Sequence, residues 1–536
     1  MEQQDLNKRL LLALVLSFFV FMGYAYFFPA AKPTQKTEQK TANTTTPQIP
    51  KASTVANQTN AAPVVASKKV QNSAPIEDKS ALLATIKSKN FTMRIDTYGR
   101  IAQMELLEKK YQDKEGHTLK ILGAGQVKPL EVRFSDAKLN DEAFKIPYIN
   151  NGSSEIDISN GAQSLTLTQT LSSTTLTKTI TVKPTGEYTV TISSSNPKQF
   201  FVTPGHRPMA DTSMYMLVRG ALVKNADNII TTIEDGKATG DEKFLHAKIA
   251  SAFDRYVASM FFDFNQSGLD VSILKESNGD PLIFVQGNST LNLHAYVGPK
   301  EYKVLEAINP ELTDAIEFGW FSFLAKPFYK VLLWIEHYIG NWGWAIILFT
   351  LLVKFTLFPL SYKGMMSMQK MKDLAPKMKE MKEKYKDDPA KMNAQMMEMY
   401  KKHGANPMGG CLPMILQIPV FFALYRVLLN ADELQGAPWI LWIENLAVMD
   451  PYYVLPILMG ASMWFQQRIT PSNFTDPMQE KIFKWFPVLM TVFFVYFPAG
   501  LVLYWLVNNL FTIGQQYFIN KMYAKHKAMG SVSNKK

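Results

Sequence analysis

Apolar positions are unevenly spread along this 536-residue chain. Residues 10–28 are almost wholly apolar and follow Lys8 and Arg9. At a helical rise of about 1.5 Å per residue, such a stretch nearly crosses a hydrocarbon core of about 30 Å. A cleaved secretory signal is the alternative, because the small residues Ala30 and Ala31 follow. A signal's apolar core is usually about 7 to 15 residues long, so the length favours an uncleaved transmembrane anchor over residues 1–29. Residues 30–79 are rich in Thr, Ala, Gln, Pro and Lys and hold too few large apolar side chains to offset the entropy of ordering them. They read as a flexible linker.

Over residues 80–319 the period becomes two. Leu176, Lys178, Ile180 and Val182 alternate with polar neighbours, as do Tyr188, Val190 and Ile192, and Pro184-Thr185-Gly186 between the runs supplies turn chemistry. The pattern predicts a hairpin inside a large antiparallel β-sandwich of two sheets. Residues 320–338 change to a helical period, with Phe321, Leu324, Phe328, Val331 and Ile335 on one face and Ser322, Lys326 and Lys330 on another. Trp320 and Trp334 at its flanks suit an amphipathic helix in a membrane interface; packing against the β domain is the alternative.

Five further apolar stretches lie near residues 342–360, 412–429, 453–467, 482–497 and 501–519. With the anchor they make six transmembrane helices. The connection at 361–410 is rich in Lys, 430–451 has no Lys or Arg, and the end beyond residue 520 carries Lys521, Lys525 and Lys527 without an acid. Positive residues stay on the cytosolic side, so both termini are expected in the cytosol and the β domain outside it. Domains follow as an anchor at 1–29, a linker at 30–79, the β-sandwich at 80–319 and the interfacial helix at 320–338. Next come helix 2 at 339–360, a cytosolic helical hairpin at 361–410, helices 3–6 at 411–519 and a basic tail at 520–536.

The formal charge of +11 would suit nucleic acid, but Lys and Arg flanking cytosolic helix ends account for it more simply. The single cysteine, Cys411, excludes a disulfide framework within one chain and any cysteine metal cluster. No catalytic motif, phosphate-binding glycine loop or metal-ligand spacing is present, so neither an enzyme nor a cofactor is implied, and His206 and His246 read as structural. In the 361–410 connection, residues 368–385 and 389–403 read as two helices broken at Asp387-Asp388-Pro389. Ten methionines lie between Met365 and Met399, and they suit either a surface for varied apolar partners or a seam between the two helices.

Polar groups inside spans are costly, a mid-helix charge by about 2.5–3.5 kcal/mol on insertion scales. Lys354 is the outstanding case, two thirds along its span with Thr350 one turn earlier on the same face. Snorkelling to the cytosol is one explanation. A water-filled recess shared with Gln417, Asn508 and Asn509 is the other.

At these residues the chain resembles a known family. Asn406-Pro-Met-Gly-Gly-Cys-Leu-Pro413 with Gln417-Ile-Pro419 is similar to the third-span signature of YidC-type insertases. Asn341-Trp-Gly343, Phe358-Pro-Leu360, Asp450-Pro-Tyr-Tyr453 with Leu455-Pro-Ile457, and Phe497-Pro-Ala-Gly-Leu-Val-Leu-Tyr504 match that family in order. The resemblance is specific over about residues 319–523. The anchor and large outer domain resemble the family's Gram-negative form in architecture. It implies a membrane α-helical fold of six transmembrane helices, whose five-helix core encloses a hydrophilic groove open to cytosol and lipid, plus a periplasmic antiparallel β-sandwich. It also implies an inner-membrane insertase and chaperone of nascent membrane proteins, acting alone or with the Sec translocon.

By position Lys354 falls where the family usually carries arginine, Thr350 and Trp505 fall at groove positions, and Gln417 is in the third-span motif. Lysine keeps the charge but loses arginine's bidentate fork, which weakens specific carboxylate pairing. Leu412, Pro413, Pro419, Phe421 and Phe493 would form an apolar slide into lipid. The basic tail and the hairpin lysines Lys377, Lys379, Lys382 and Lys384 would meet the ribosome or nascent chain through charge. Transporter, channel, intramembrane protease and tethered β-domain binding module are the rival classes. No internal repeat supports a transporter and no nucleophile–base pair within the spans supports a protease, while binding of a sugar or a partner protein by the β domain stays open as an independent role.

Overall fold

In the computed structural model the described residues are 82–112, 115–209, 218–265, 267–385, 388–403, 407–470 and 477–533. The expected anchor and linker lie outside them. The chain divides into two units. One runs to Glu317 and takes in Asn430–Glu433; the other holds Phe318–Leu429 and Leu434–Lys536.

The first unit is β-rich, with sheets of nine, five and five strands among its described residues. At the middle of the nine-stranded sheet, Glu187–Ser194 pairs antiparallel with Thr175–Val182 on one side and Thr290–Pro299 on the other. The hairpin expected from the turn chemistry is present, with Tyr188 opposite Val182, Val190 opposite Ile180 and Ile192 opposite Lys178. Gly186 closes the turn at φ 86°, a conformation open to glycine at little steric cost. Leu176, Ile180, Val182, Tyr188, Val190 and Ile192 all point inward and are fully buried. They join one hydrophobic core with Ile95 and Val285 from the other two sheets. Two features depart from a two-sheet antiparallel sandwich: the third sheet, and a parallel pairing of Leu82–Lys87 with Glu155–Asp157. A three-residue strand paired across about 70 positions leaves no periodic mark in sequence.

Lys178 shares the inward face of its strand and is fully buried. Its ammonium donates to the Leu130 carbonyl at 2.8 Å and the Gly99 carbonyl at 3.1 Å, and lies 4.5 Å from the Tyr148 ring centroid. Backbone carbonyls thus stand in for lost water. Burial pushes its pKa down to about 7, with the Asp96 charge opposing and Arg100 adding to the depression.

In the second unit the helices are α1 (Ser322–Ile339), α2 (Trp342–Thr356), α3 (Phe358–Lys384), α4 (Pro389–Lys402), α5 (Pro407–Asn430), α6 (Val454–Ile469), α7 (Pro477–Phe494) and α8 (Ala499–Ser533). Five of them, α2, α5, α6, α7 and α8, occupy the five apolar stretches. Helix α8 packs on α2 and α6, α6 on α7, and α1 on α2. The polarity is inverted relative to a water-soluble bundle. Trp344, Leu348, Leu352 and Phe355 form an exposed stripe on α2, as do Trp485, Val488, Leu489 and Val492 on α7. Thr350, Lys354, Ser462, Asn508, Asn509 and Gln516 are buried. An apolar exterior with polar groups satisfied inside is what a hydrocarbon solvent demands.

Among the described residues no single helix is long and apolar enough to cross a membrane; α2 with α3 as far as Met378, bent by 64°, passes by length and composition. Helix α2 alone is about 22 Å long at about 1.5 Å per residue. Its break explains why α3 starts ten residues before the expected residue 368. Pro359 sits in the first turn of α3, a position that needs no intrahelical N–H, so the chain bends just before it instead of unwinding.

Helix α1 differs from a simple two-faced helix. Ala325, Tyr329, Leu332 and Ile335 are buried and Phe328 meets Phe349 edge-on at 5.1 Å. Trp320, Phe323, Trp334 and Tyr338 stand exposed on the outer side with Lys330. Between α3 and α4, Leu374, Met378, Met399 and Tyr400 pack together with Met371, Met381 and Met396 against them. These methionines form the seam of the hairpin, and Met397 alone among the large apolar side chains described there is strongly exposed.

A base whose folded pKa is depressed holds fewer protons when folded, so the β unit should gain stability as pH rises from about 7 toward 10.5, the ordinary lysine value. Melting of the β-sheet circular-dichroism signal, followed from pH 7 to 9 in detergent, should show that rise in the wild type. The slope should flatten in Lys178→Met.

Candidate functional site

Several buried and half-buried polar side chains of the second unit line one face of α8. On α8, Asn508, Thr512, Gln516 and Asn520 recur every four residues, which stacks them on one side. Lys354, near the end of α2, donates to Thr512 Oγ1 at 2.9 Å and reaches Gln417 Oε1 of α5 at 3.5 Å. Gln417 Nε2 in turn donates to Asn508 Oδ1 at 2.8 Å. The Thr512 hydroxyl donates to the Asn508 carbonyl at 2.7 Å, which leaves its oxygen free to accept from the ammonium. Neither partner of Lys354 is a carboxylate. A charge buried among neutral oxygens keeps hydrogen bonds while its Coulomb field stays uncancelled.

Thr350, one turn above Lys354, is buried and bonds back to the Ile346 carbonyl at 2.7 Å. It lines a cavity with Lys354, Ser361, Gln417, Tyr504 and Asn508. That cavity has about 20 Å³ of space for the centre of a water molecule, room for one, where roughly 10–15 Å³ suffices. Further along α8, Gln516 Nε2 donates to Asn520 Oδ1 at 2.7 Å, and Gln369 of α3 reaches the same oxygen. A line of polar groups therefore runs from Lys354 to the start of the hairpin.

Two expected members lie elsewhere. Asn509 faces α6, where it donates to Ser462 Oγ at 3.1 Å. Trp505 is half-buried and packs edge-on to Phe421 at 4.8 Å and against Phe494 at 5.0 Å. It belongs with the apolar set, in which Phe493 meets Phe497 at 4.9 Å. Pro419 is half-buried on α5; the side chains of Leu412 and Pro413 lie outside the described residues. Thr512, Tyr504, Ser361 and Ser462 were not among the expected residues. Thr512 carried a readable signal, four residues after Asn508 and eight before Asn520, whereas pairings between helices carried none.

The sequence motifs have physical roles. Asn341 caps α2 by accepting from Trp344 N at 3.1 Å, and its amide donates to the Pro438 and Trp439 carbonyls. Gly343 lies so close under the Trp439 ring that no Cβ fits. Asp450, fully buried, accepts from Trp442 Nε1 at 2.9 Å, Tyr452 N at 3.0 Å and Leu455 N at 2.7 Å, which fixes the turn into α6. At the start of α8, Ala499 N and Gly500 N donate to the Val448 and Leu446 carbonyls at 2.7 and 3.0 Å. These bonds satisfy amides that a helix start leaves open.

The model of the 60Kd inner membrane protein family matches residues 334–527, and that of the YidC periplasmic domain matches residues 268–331. A membrane protein insertase YidC of Campylobacter jejuni is 47% identical over 527 residues, 97% of either chain. Its counterpart in Wolinella succinogenes is 46% identical over 98% of this chain and 97% of its own. That of Helicobacter pylori strain 26695 is 43% identical over the whole of both. The chain belongs to the YidC family of membrane protein insertases. As a YidC-family member it is an inner-membrane protein with a periplasmic domain. The motifs that resemble the family map onto caps, close approaches and helix α5, which bears Gln417.

Asp450→Ala strands three donors that share one buried acceptor. At about 1 kcal/mol or more for each lost bond it should cost about 3 kcal/mol. Thermal unfolding in detergent, read by helical circular dichroism, should fall clearly for Asp450→Ala and stay near wild type for the exposed Glu444→Ala.

Proposed function

We propose that this chain inserts nascent membrane proteins by giving their polar segments a hydrated path beside Lys354 while their apolar helices pass into lipid. Membrane insertion is the family's named activity. The observation that carries the mechanism is the hydrogen-bonded line of buried Lys354 and Asn508 with half-buried Thr512 and Gln417, inside a unit whose outward stripes on α2 and α7 are apolar. The barrier to insertion is dragging polar backbone through hydrocarbon, where each unsatisfied group costs several kcal/mol. A recess lined by hydroxyls, amides and an ammonium shortens that path. The driving force is burial of the substrate's apolar helix, about 0.8 kcal/mol per methylene. Covalent chemistry and nucleotide are not needed.

In this reading Phe421, Trp505, Phe493 and Pro419, with Leu412 and Pro413, guide the apolar helix. Six spans place both termini in the cytosol and the β unit in the periplasm. Short helices such as α2 are accommodated by a locally thinned bilayer, which lowers the barrier further. The exposed aromatics of α1 seat it at the interface. The hairpin and the basic end of α8 meet the ribosome or nascent chain by charge, and the Sec translocon is a partner for larger substrates.

Charge, not shape, is what the recess supplies. With the chain reconstituted alone in liposomes and a small single-span substrate scored by protease protection, Lys354→Arg should retain activity. Lys354→Ala should lose part of it and Lys354→Glu most, with acidic-tailed substrates hit hardest. Equal activity of all variants would mean that Lys354 only snorkels.

Removal of residues 90–300 should leave insertion largely intact in the same assay, because no residue of the polar line comes from that range. A stably inserted deletion variant without activity would contradict this.

A further inference from the structure

Three potential ligands from two segments converge in the β unit, far in sequence from the polar line. His206 Nε2 lies 3.3 Å from Glu276 Oε2 and 3.5 Å from Asp280 Oδ2, and all three ligand atoms fall within 4.8 Å of one another. His206 is buried and the carboxylates are half-buried.

The backbone fixes them in place. Glu276 N donates to the Asp280 carbonyl at 2.9 Å and Gly279 N to the Glu276 carbonyl at 2.9 Å, which closes the turn between the paired strands Leu269–Lys275 and Pro281–Gly287. Both carboxylates therefore leave the mouth of one hairpin. Asp280 is oriented further by Gly236 N, which donates to Oδ1 at 3.0 Å, and by Asn278 Nδ2, which donates to Oδ2 at 2.7 Å. On the other segment His206 N donates to the Val127 carbonyl at 2.9 Å. His206 Nδ1 lies 3.1 Å from the Arg207 carbonyl. A ring that donates from Nδ1 to a carbonyl turns the lone pair of Nε2 toward the carboxylates, the orientation usual for metal-bound histidine.

The spacing fits a small cation. Metal bonds of about 2.0–2.2 Å in tetrahedral geometry put neighbouring ligand atoms about 3.4 Å apart, close to the two separations here. Charge fits as well. Two carboxylates face one imidazole, and the adjacent Arg207 is engaged by Asp235.

We propose that His206, Glu276 and Asp280 form a divalent-metal site in the β unit, with one nitrogen and two oxygen ligands and a solvent molecule in the fourth position. The donor set selects Zn²⁺ over Mg²⁺ and Ca²⁺, which favour all-oxygen cages. The metal ties the segment carrying His206 to a hairpin about 70 residues away, so it acts as a structural staple.

The test uses the full-length chain in detergent, stripped with chelator and dialysed against micromolar Zn²⁺ at neutral pH. Plasma mass spectrometry should find about one retained equivalent, and the β-sheet melting temperature should rise. Both effects should vanish in His206→Gln and in Glu276→Gln, and persist in His246→Gln, a histidine outside the trio. Co²⁺ should give the absorption bands of a tetrahedral centre, and Zn²⁺ should abolish them. Glu276→Gln keeps the test decisive if His206→Gln fails to fold. Substoichiometric Zn²⁺ in the wild type, or equal Zn²⁺ in Glu276→Gln, would overturn the site and leave His206 as a protonated partner of the two carboxylates.

Discussion

One constraint shapes the helical unit: a polar group without water must find its partners inside the protein. Lys354 meets that demand with the Thr512 hydroxyl and the Gln417 amide, and Gln417 is in turn held by Asn508. These bonds tie α2, α5 and α8 together at one level. Outward stripes of α2 and α7 are apolar, Trp344, Leu348, Leu352 and Phe355 on the one and Trp485, Val488, Leu489 and Val492 on the other. A well-packed ion pair would be the more stable solution, but an ammonium without a carboxylate keeps an unbalanced field. The proposed attraction of polar or acidic segments rests on that field.

The β unit meets the same demand differently. Lys178 is as deeply buried, yet its partners are the carbonyls of Leu130 and Gly99, and its Tyr148 neighbour offers a ring face. Backbone carbonyls held in turns against a packed core do not exchange partners as free side chains do, so Lys178 is a fixed part of that core. Side-chain amides and hydroxyls on separate helices can exchange partners with water or with a passing chain. The contrast separates a lysine fixed in a core from the one proposed to act on a substrate.

Much of this was legible in sequence, and the limits are physical. Local periodicity and turn chemistry reported the hairpin through Gly186 and the five apolar helices, because each depends on neighbours within a few residues, whereas the cap at Asn341 emerges only in the fold. The stripe of Asn508, Thr512, Gln516 and Asn520 is equally local in sequence, but which of its members meets Lys354 is decided by packing between helices. Asn509, one position from Asn508, points a third of a turn away and so meets Ser462 instead. Trp505 reads as a groove residue by position but sits among Phe421 and Phe494, since only packing decides which neighbour a large ring meets. The methionines were ambiguous until the hairpin showed Met378 and Met399 facing each other. His206, Glu276 and Asp280 left no motif at all, because the chain brings them together across about 70 residues.

The central claim is that water reaches the polar line inside the helical unit. It is tested most directly by replacing Cys411 with Ser, placing single cysteines at Thr512 and at Leu352, and reconstituting each variant in liposomes. A charged, membrane-impermeant thiol reagent is then added from either side. The account predicts rapid labelling at position 512 from the cytosolic side alone and slow labelling at position 352, on the exposed apolar stripe. Position 512 inert from both sides, or no faster than position 352, would contradict it.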